Sequence, residues 1–215
     1  MPPVLPALTG LRFVLAICVV IYHYGGPAAG NSPGLIANAI HAGFSTVSGF
    51  FVLSGFVLAH NYWLPDGSMR GDGRALWAAR FARVFPVYAL SILLVLPAYL
   101  GTGQASSASE AAMAVALSLV GLQAWVPDLA IAVNSAAWSL SVEAFFYLCF
   151  PWLVRLLGNG HGNARLGWLL GGCVGAGLIA PLGLTAVSSP SESLIAAVRY
   201  NPLLHLPAFV AGMAA

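Results

Sequence analysis

The stretch LTGLRFVLAICVVIYHY (residues 8–24) has the length and composition of a membrane-spanning helix, yet it contains Arg12 and His23. A helix needs about 20 predominantly apolar residues to cross the hydrocarbon of a bilayer. Ionisable side chains are expensive in that layer, and they occur there mainly where they face a cavity or pair with another group. The stretch therefore predicts a membrane protein that holds ionisable groups within its helices.

The composition of the whole chain agrees with this interpretation. Of the 215 residues, 60% are hydrophobic and 7% are charged, whereas soluble domains have about 25% charged residues. The eight basic residues are all Arg, and they are too dispersed for a nucleic-acid-binding surface. Cys18, Cys149 and Cys173 lie far apart, without the spacing of metal ligands. We expect an integral membrane protein without bound nucleic acid, metal or permanently bound cofactor.

Apolar runs separated by breaks rich in Gly, Ser and Pro predict an all-α, polytopic bundle of transmembrane helices. We expect a single domain over residues 1–215. Gly55, with Ala59 four residues later, is predicted to lie where two helices cross closely. A seventh span is predicted to start near residue 201. The six predicted before it are 11–27, 43–63, 84–102, 111–126, 137–157 and 166–187.

The first apolar run has a second interpretation, which is a secretory signal peptide cleaved after the small residues 28–30. His23 interrupts the place where the apolar core of a signal peptide would continue, and this favours a spanning helix. The loop after this run has no basic residue. The loop between the second and third spans holds four, against Asp66 and Asp72: Arg70, Arg74, Arg80 and Arg83. The positive-inside rule then predicts a cytoplasmic N-terminus.

The orientation beyond the third span has two alternatives. If 111–126 crosses the membrane fully, Arg155 and Arg165 lie outside, against the positive-inside rule. If 111–126 is re-entrant, both arginines lie on the cytoplasmic side.

Arg12 and His23 lie on one face of the predicted first helix, because eleven residues make three full turns plus about 20°. The rise of about 1.5 Å per residue places His23 about 16 Å beyond Arg12, near the middle of the membrane. A neutral imidazole can accept a proton from a hydroxyl there. An alternative that spacing alone leaves open is a histidine that only hydrogen-bonds a neighbouring helix.

Arg80 and Arg83 are three residues apart, about 60° around a helix, so both can project together at the membrane surface. Two guanidinium groups side by side suit a phosphate or pyrophosphate. Paired arginines at a helix end also fix membrane orientation, and spacing alone favours that simpler role.

Glu143 lies in WSLSVEAFFYLCFP (residues 138–151), among large apolar side chains. A carboxylate at that depth must face a cavity or a partner. Ser139 at i−4 and Tyr147 at i+4 share its face and are its predicted hydrogen-bonding neighbours.

Four stretches resemble, in order and spacing, the acyltransferase-3 family of multi-spanning membrane proteins. They are LTGLRFVLAICVVIYHY, FSTVSGFFVLSGFVL, RFARVFPVY and AWSLSVEAFFYLCFP, all within residues 8–151. A fifth stretch, NPLLHLPAFVAGM, is similar to a later helix in which the family usually has an acidic residue at Ala208 and often a basic one at His205. The family fold has about ten helices, so the resemblance implies that this sequence ends early within it.

The resemblance implies transfer of an acyl group, often acetyl, from acyl-CoA to hydroxyls of carbohydrates, including cell-surface glycans. It makes Arg12 and His23 the paired basic residues of the first helix. Arg80 and Arg83 match the Arg-x-x-Arg motif that is thought to hold the donor phosphates, and Glu143 matches the acidic residue of Trp-Ser-Leu-Ser-Val-Glu. The implied partners are acyl-CoA, a carbohydrate or lipid-linked glycan acceptor and the bilayer of a bacterial inner membrane. A proton-coupled transporter and an inactive remnant are the alternatives.

Overall fold

A computed structural model describes residues 6–26, 34–103, 105–158, 167, 171 and 182–215. In these ranges the regular structure is helical, apart from one antiparallel bridge pair between Trp63 and Met69. A 3₁₀ turn, Gly43–Ser45, links the second and third helices. The named helices are α1 (Pro6–Tyr24), α2 (Gly34–Ala42), α3 (Thr46–Tyr62), α4 (Gly73–Gly101), α5 (Ala108–Leu119), α6 (Trp138–Gly158), α7 (Glu192–Tyr200) and α8 (Pro202–Ala214).

Five stretches of the described chain are long and apolar enough to cross a membrane. Their side chains confirm the membrane class, because large apolar residues point outward: Phe13 is 66% exposed and Leu94 71% exposed. Such surfaces suit lipid rather than water. The stretches are Pro6–Tyr24, Gly34–Tyr62, Gly73–Gly101, Trp138–Gly158 and Glu192–Ala214.

The predicted boundaries need correction at four spans. The first runs from Pro6 to Tyr24 instead of 11–27. The second span starts at Gly34 instead of 43, because α2, the 3₁₀ turn and α3 run on without a break. The third starts at Gly73 instead of 84, because Asp72 caps the helix by accepting a hydrogen bond from the Arg74 amide. The last starts at Glu192, where Ser191 is the cap. The predicted span 166–187 lies largely outside the described residues.

The predicted span 111–126 forms only the 12-residue helix α5. At about 1.5 Å per residue it is about 18 Å long, against about 30 Å of hydrocarbon. The helix ends before Gly121, whose φ of +70° reverses the chain. Two 3₁₀ turns, Gln123–Trp125 and Pro127–Leu129, follow. This segment therefore does not cross as a single helix.

Internal contacts divide the chain into two compact units, residues 1–61 with 208–215 and residues 62–207. In the first unit, α1 packs against α2 and the 3₁₀ turn. The absent side chain of Gly43 allows this approach, because a Cβ there would meet the carbonyl of Cys18 and the Cβ of Tyr22. No residue of α1 is buried within the described structure.

The predicted close crossing at Gly55 is confirmed within the first unit. A Cβ on Gly55 would overlap the Phe209 carbonyl, and a Cβ on Gly212 would overlap the Val52 carbonyl. The two glycines thus let the backbones of α3 and α8 touch from both sides. This is the small-residue packing by which membrane helices associate.

The second unit packs α4 against α5, α6 and the 3₁₀ turns. Its core includes Tyr88, Ile92 and Tyr99 of α4, together with Ala114 of α5. Polar groups in the core are paired: the Tyr88 hydroxyl donates to the carbonyl of Ser118 and lies 3.3 Å from Gln123 Oε1. These bonds hold the end of α5 against α4.

The loop between α3 and α4 docks on the end of α6. Arg70 donates its amide to the Tyr62 carbonyl at 2.7 Å and closes the loop. Gly67, with φ of +81°, meets the backbone of Gly158 so closely that a Cβ on either residue would overlap the other. The last turn of α6, with Arg155, therefore lies at the same end of the second unit as the Arg-rich loop. This agrees with the re-entrant alternative for 111–126.

Candidate active site

A cavity of about 510 Å³ lies in the second unit, between α4, the end of α5 and α6. Two ionisable residues predicted from the sequence, Arg80 and Glu143, line it together. Most of the remaining lining is apolar or aromatic. The other lining residues are Trp77, Phe81, Val84, Phe85, Tyr88, Leu119, Val120, Gly121, Leu140, Ser141, Ala144, Tyr147 and Leu148.

Glu143 is half-buried on α6, and its orientation is set by the next turn of the same helix. The Tyr147 hydroxyl donates to Glu143 Oε1 at 2.5 Å, as the i+4 spacing predicts. Ser139 does not have the predicted role, because its exposed hydroxyl donates to the Ala136 carbonyl at 3.1 Å. The carboxylate is therefore held by an aromatic hydroxyl at the cavity wall.

Arg80 lies between two tyrosine rings of different helices. Its guanidinium carbon is 5.8 Å from the Tyr62 ring centroid and 5.7 Å from the Tyr147 ring centroid. Each such cation–π contact contributes about 0.5–2 kcal/mol. Its Nε is buried and has no hydrogen-bond partner among the described residues. Tyr147 thus contacts both the carboxylate of Glu143 and the guanidinium of Arg80.

Arg83 is exposed, and it is absent from the cavity lining. The predicted pairing of Arg80 and Arg83 toward one ligand is therefore uneven: the first group lines the cavity and the second lies on the helix surface. Both residues belong to α4, and their positions are about 4.5 Å apart along the helix axis.

Arg12 and His23 lie on α1, in the first unit. Arg12 is half-buried and His23 is exposed. The ring centroids of His23 and Tyr22 are 5.2 Å apart. The two belong to a different unit from Glu143, so the pairing of His23 with Glu143 stays a prediction.

His205 belongs to the second unit, where its ring centroid lies 5.2 Å from a ring centroid of Trp138. A ring nitrogen of His205 is 2.8 Å from the Arg199 carbonyl, across the junction of α7 and α8. The residue that the family comparison singled out is therefore held by an aromatic ring and a backbone carbonyl.

Sequence reasoning missed two aromatic residues, Tyr62 and Trp77. Tyr62 supports Arg80, and Trp77 lines the cavity while its indole donates to the Tyr147 carbonyl at 2.9 Å. Both stand near the ends of apolar helices, where Tyr and Trp are common as membrane-interface residues. Trp77 lies three residues before Arg80, and this spacing could have predicted that both side chains lie on the same face of the helix.

The cavity wall is held by hydrogen bonds that join α6 to the turn after α5. Ser141 is 1% exposed and donates to the Gly121 carbonyl at 2.6 Å. Gln123 donates to the Ala137 carbonyl at 3.1 Å. Buried polar groups that are paired in this way rigidify the surrounding structure. The cavity is therefore a formed site with a cation, a carboxylate and an apolar interior.

This combination can bind an anion or a polarised carbonyl beside Arg80, and it can orient a proton donor or acceptor beside Glu143. Both charged groups are half-buried against these apolar walls, where electrostatic interactions are stronger than in bulk water.

Comparison with known proteins places these residues in a family. The chain is similar to acyltransferase MdmB of Streptomyces mycarofaciens, with 29% identity over 195 residues, which cover 88% of this chain and 49% of MdmB. It is also similar to O-acetyltransferase OatA of Staphylococcus aureus strain NCTC 8325, with 28% identity over 168 residues, which cover 73% of this chain and 26% of OatA. The chain thus spans about half the length of one curated relative and about a quarter of the other.

No solved structure matches the chain. The family match is extensive: the family described as an acyltransferase domain matches residues 5–215, which include Arg80, Glu143 and the whole cavity. The chain belongs to the acyltransferase-3 family.

Proposed function

We propose that the protein is a membrane O-acyltransferase that moves an acyl group, acetyl in the simplest case, from acyl-CoA to a hydroxyl of a carbohydrate or lipid-linked glycan. The observation that carries the proposal is the cavity that joins Arg80, Glu143 and Tyr147 in an acyltransferase-family chain. The names of the relatives support acyl transfer, and OatA is named as an O-acetyltransferase.

The proposed location is the bacterial inner membrane, with the N-terminus in the cytoplasm. Arg70, Arg74 and Arg155 lie at one end of the second unit, and the positive-inside rule favours the cytoplasm for such an end. Acyl-CoA would then approach from that side. Its phosphates are strong acceptors for guanidinium groups, so Arg80 and Arg83 are the proposed phosphate-binding pair.

In the proposed reaction, the acceptor oxygen attacks the thioester carbon while a base takes its proton. The C–S bond then breaks, the acyl group stays on the acceptor oxygen, and the CoA thiolate leaves and takes up a proton. His23 is the proposed base, following the family resemblance, and Arg12 is its proposed basic companion on α1. Glu143 would orient the imidazole and stabilise its protonated form, as a carboxylate does in a catalytic triad.

The test supplies acetyl-CoA and glycan acceptors to membranes that contain the protein and measures free thiol and O-acetyl product. We expect both to increase together, and we expect His23→Ala to lower the rate by about 10²–10⁴-fold, as for loss of a general base. His60→Ala is the matched control, since His60 is an exposed histidine at the end of α3 that stacks on Phe56.

Two outcomes would contradict the proposal. Movement of the acceptor across the membrane without thiol release would indicate a transporter. Normal product formation by the His23→Ala protein would remove His23 from the reaction.

A further inference from the structure

A second cavity, of about 600 Å³, lies beside the first and has a different character. It is lined by the loop before α4, the first turns of α4 and the last turns of α6. Two arginines line it, Arg74 from α4 and Arg155 from α6, and so do two indoles, Trp77 and Trp152. Its volume falls within the usual range of small-molecule sites, about 300–1,000 Å³.

The loop that lines this cavity is closed by backbone hydrogen bonds. The Leu64 amide donates to the Ser68 carbonyl at 2.9 Å, and the Gly67 amide donates to the Leu64 carbonyl at 2.9 Å. Ser68 donates its hydroxyl and its amide to Asp66, and these bonds keep the pKa of the Asp66 carboxyl below its usual range. This wall of the cavity is therefore internally hydrogen-bonded.

The two guanidinium groups are available to a ligand. Within the described residues, neither Arg74 nor Arg155 makes a side-chain hydrogen bond or ion pair, and both are exposed. Asp72 is the acidic lining residue, and its carboxylate already accepts the Arg74 amide as the cap of α4. The cavity thus carries an excess of positive charge and suits a phosphate.

The indoles add a flat apolar surface to this charge. The ring centroids of Trp77 and Trp152 are 5.7 Å apart with 32° between the ring planes, and Trp152 is 56% exposed. Nucleobases stack on exposed aromatic rings. Guanidinium groups suit a phosphate and an exposed indole suits a base, so together they suit a phosphorylated nucleoside.

Trp77 also lines the first cavity, so the two cavities adjoin at this side chain. A ligand that filled the second cavity could extend past Trp77 toward Arg80 and Glu143. A CoA thioester has this form, with a phosphorylated adenosine at one end and the reactive carbonyl at the end of a flexible arm.

We propose that the second cavity binds the nucleotide end of the acyl donor, with the adenosine phosphate on Arg74 and Arg155 and the adenine on Trp152. This assignment rests on the proposed acyltransferase function, and it gives Arg80 and Arg83 the phosphates nearer the flexible arm. A phospholipid headgroup offers the same phosphate chemistry without a base, and the test separates the two.

The experiment titrates the purified protein, held in phosphatidylcholine nanodiscs, with adenosine 3′,5′-bisphosphate and follows binding calorimetrically. We expect the Arg74→Gln, Arg155→Gln double variant to bind at least about tenfold more weakly. The reason is that each hydrogen bond between a guanidinium and a phosphate contributes strongly to the binding free energy. Trp152→Leu is expected to weaken binding by a similar factor. Arg70→Gln is the matched control, because Arg70 is an exposed arginine of the same loop that does not line the cavity.

Acetyl transfer from acetyl-pantetheine, which lacks the nucleotide, separates this inference from the proposed function. The double variant is expected to keep the normal rate with this donor and to show a raised KM only for acetyl-CoA. If acetyl-CoA is used with an unchanged KM by the double variant, the nucleotide site is wrong while the acyltransferase function stands. If no acyl transfer occurs but the bisphosphate binds with the expected variant pattern, the function is wrong and the nucleotide site stands.

The lipid source is tested by repeating the titration in nanodiscs that contain phosphatidylglycerol. If the bisphosphate fails to bind in either nanodisc while Arg74→Gln, Arg155→Gln lowers the retention of phosphatidylglycerol, the cavity is a lipid-headgroup site and the proposal is overturned. Binding of the bisphosphate in phosphatidylcholine that depends on both arginines supports the nucleotide.

Discussion

The carboxylate of Glu143 is half-buried among apolar side chains, so neighbouring protein groups contribute to its orientation. Tyr147 supplies one such group at 2.5 Å. We expect Tyr147→Phe to lower the turnover number of acyl transfer by about tenfold, which is the lower range for a hydrogen bond to a charged group. The KM for acyl-CoA should stay within about twofold, because the ring over Arg80 is retained. Steady-state kinetics in membranes measure both.

Tyr62→Phe is the control for this variant. It also removes a hydroxyl from a ring beside Arg80, but the described contact of Tyr62 is made by its ring. Its turnover should stay normal. A turnover number for Tyr147→Phe equal to that of Tyr62→Phe would show that the hydroxyl of Tyr147 does not position the carboxylate.

Arg80 and Arg83 are expected to differ in importance, because Arg80 alone of the two lines the cavity. Arg80→Gln should raise the KM for acyl-CoA by about tenfold or more, and Arg83→Gln by less. Arg80→Lys should not restore the donor affinity, since an ammonium lacks the planar fork of a guanidinium between two rings. If both Gln variants raised the KM equally and only slightly, the arginines would not bind the donor and would only fix the orientation of α4 in the membrane.

Prediction from sequence at this scale was partly accurate, because helix spacing identified one of the two expected neighbours of Glu143. The i+4 relation placed Tyr147 beside Glu143 correctly, since both lie on α6. It failed for Ser139, because a hydroxyl near a helix start can satisfy itself on a carbonyl of the preceding turn. The approach of Arg80 to Tyr62 depends on how two helices pack, which their separate sequences do not specify.

Among the elements, the loop between α3 and α4 depends on two glycines. Gly67 has φ of +81° and contacts the backbone of Gly158. Gly67→Ala should strain the backbone and separate the loop from α6, with a loss of about 1–3 kcal/mol in the free energy of unfolding. Thermal unfolding in detergent measures this change as a lower midpoint temperature.

Gly101→Ala is the matched control, because no atom lies within 4 Å of a Cβ built there and the residue is helical. It should leave the midpoint unchanged or raise it slightly, since Ala is the better helix former. If Gly67→Ala unfolds at the same temperature as Gly101→Ala, the loop is not docked as described.

The apolar pattern predicted that helices cross the membrane, because lipid requires every backbone polar group to be paired within the segment. It placed the start of α4 too late, since it followed the apolar residues and not the cap at Asp72. Residues 73–83 are helical although they carry Arg74, Arg80 and Arg83. Helix starts are set by local hydrogen bonds, so hydropathy alone does not locate them.

The whole molecule has a topology that cysteine labelling can test. In the second unit, the loop before α4 and the end of α6 lie together, while Ser106 lies beyond the opposite end of α4. After replacement of the native cysteines, Ser68→Cys and Arg155→Cys should react with an impermeant maleimide from one side of the membrane. Ser106→Cys should react from the other side.

Labelling of Ser68→Cys and Arg155→Cys from opposite sides would mean that residues 108–137 cross the membrane, contrary to the short helix α5. The sequence left this choice open because the arginine bias after the third span gave no majority. A backbone contact between residues far apart in the chain, Gly67 to Gly158, favours the re-entrant alternative.

The most direct test of the account is acyl transfer by the Glu143→Gln protein, measured as labelled acetyl moved from acetyl-CoA to acceptor in membranes with matched protein levels. Gln keeps the shape of Glu and removes its charge, so we expect transfer to fall by about 10²-fold or more. Glu192→Gln, which changes an exposed carboxylate in the first turn of α7, should transfer normally. Transfer by Glu143→Gln at the rate of Glu192→Gln would contradict the claim that this cavity is the active site.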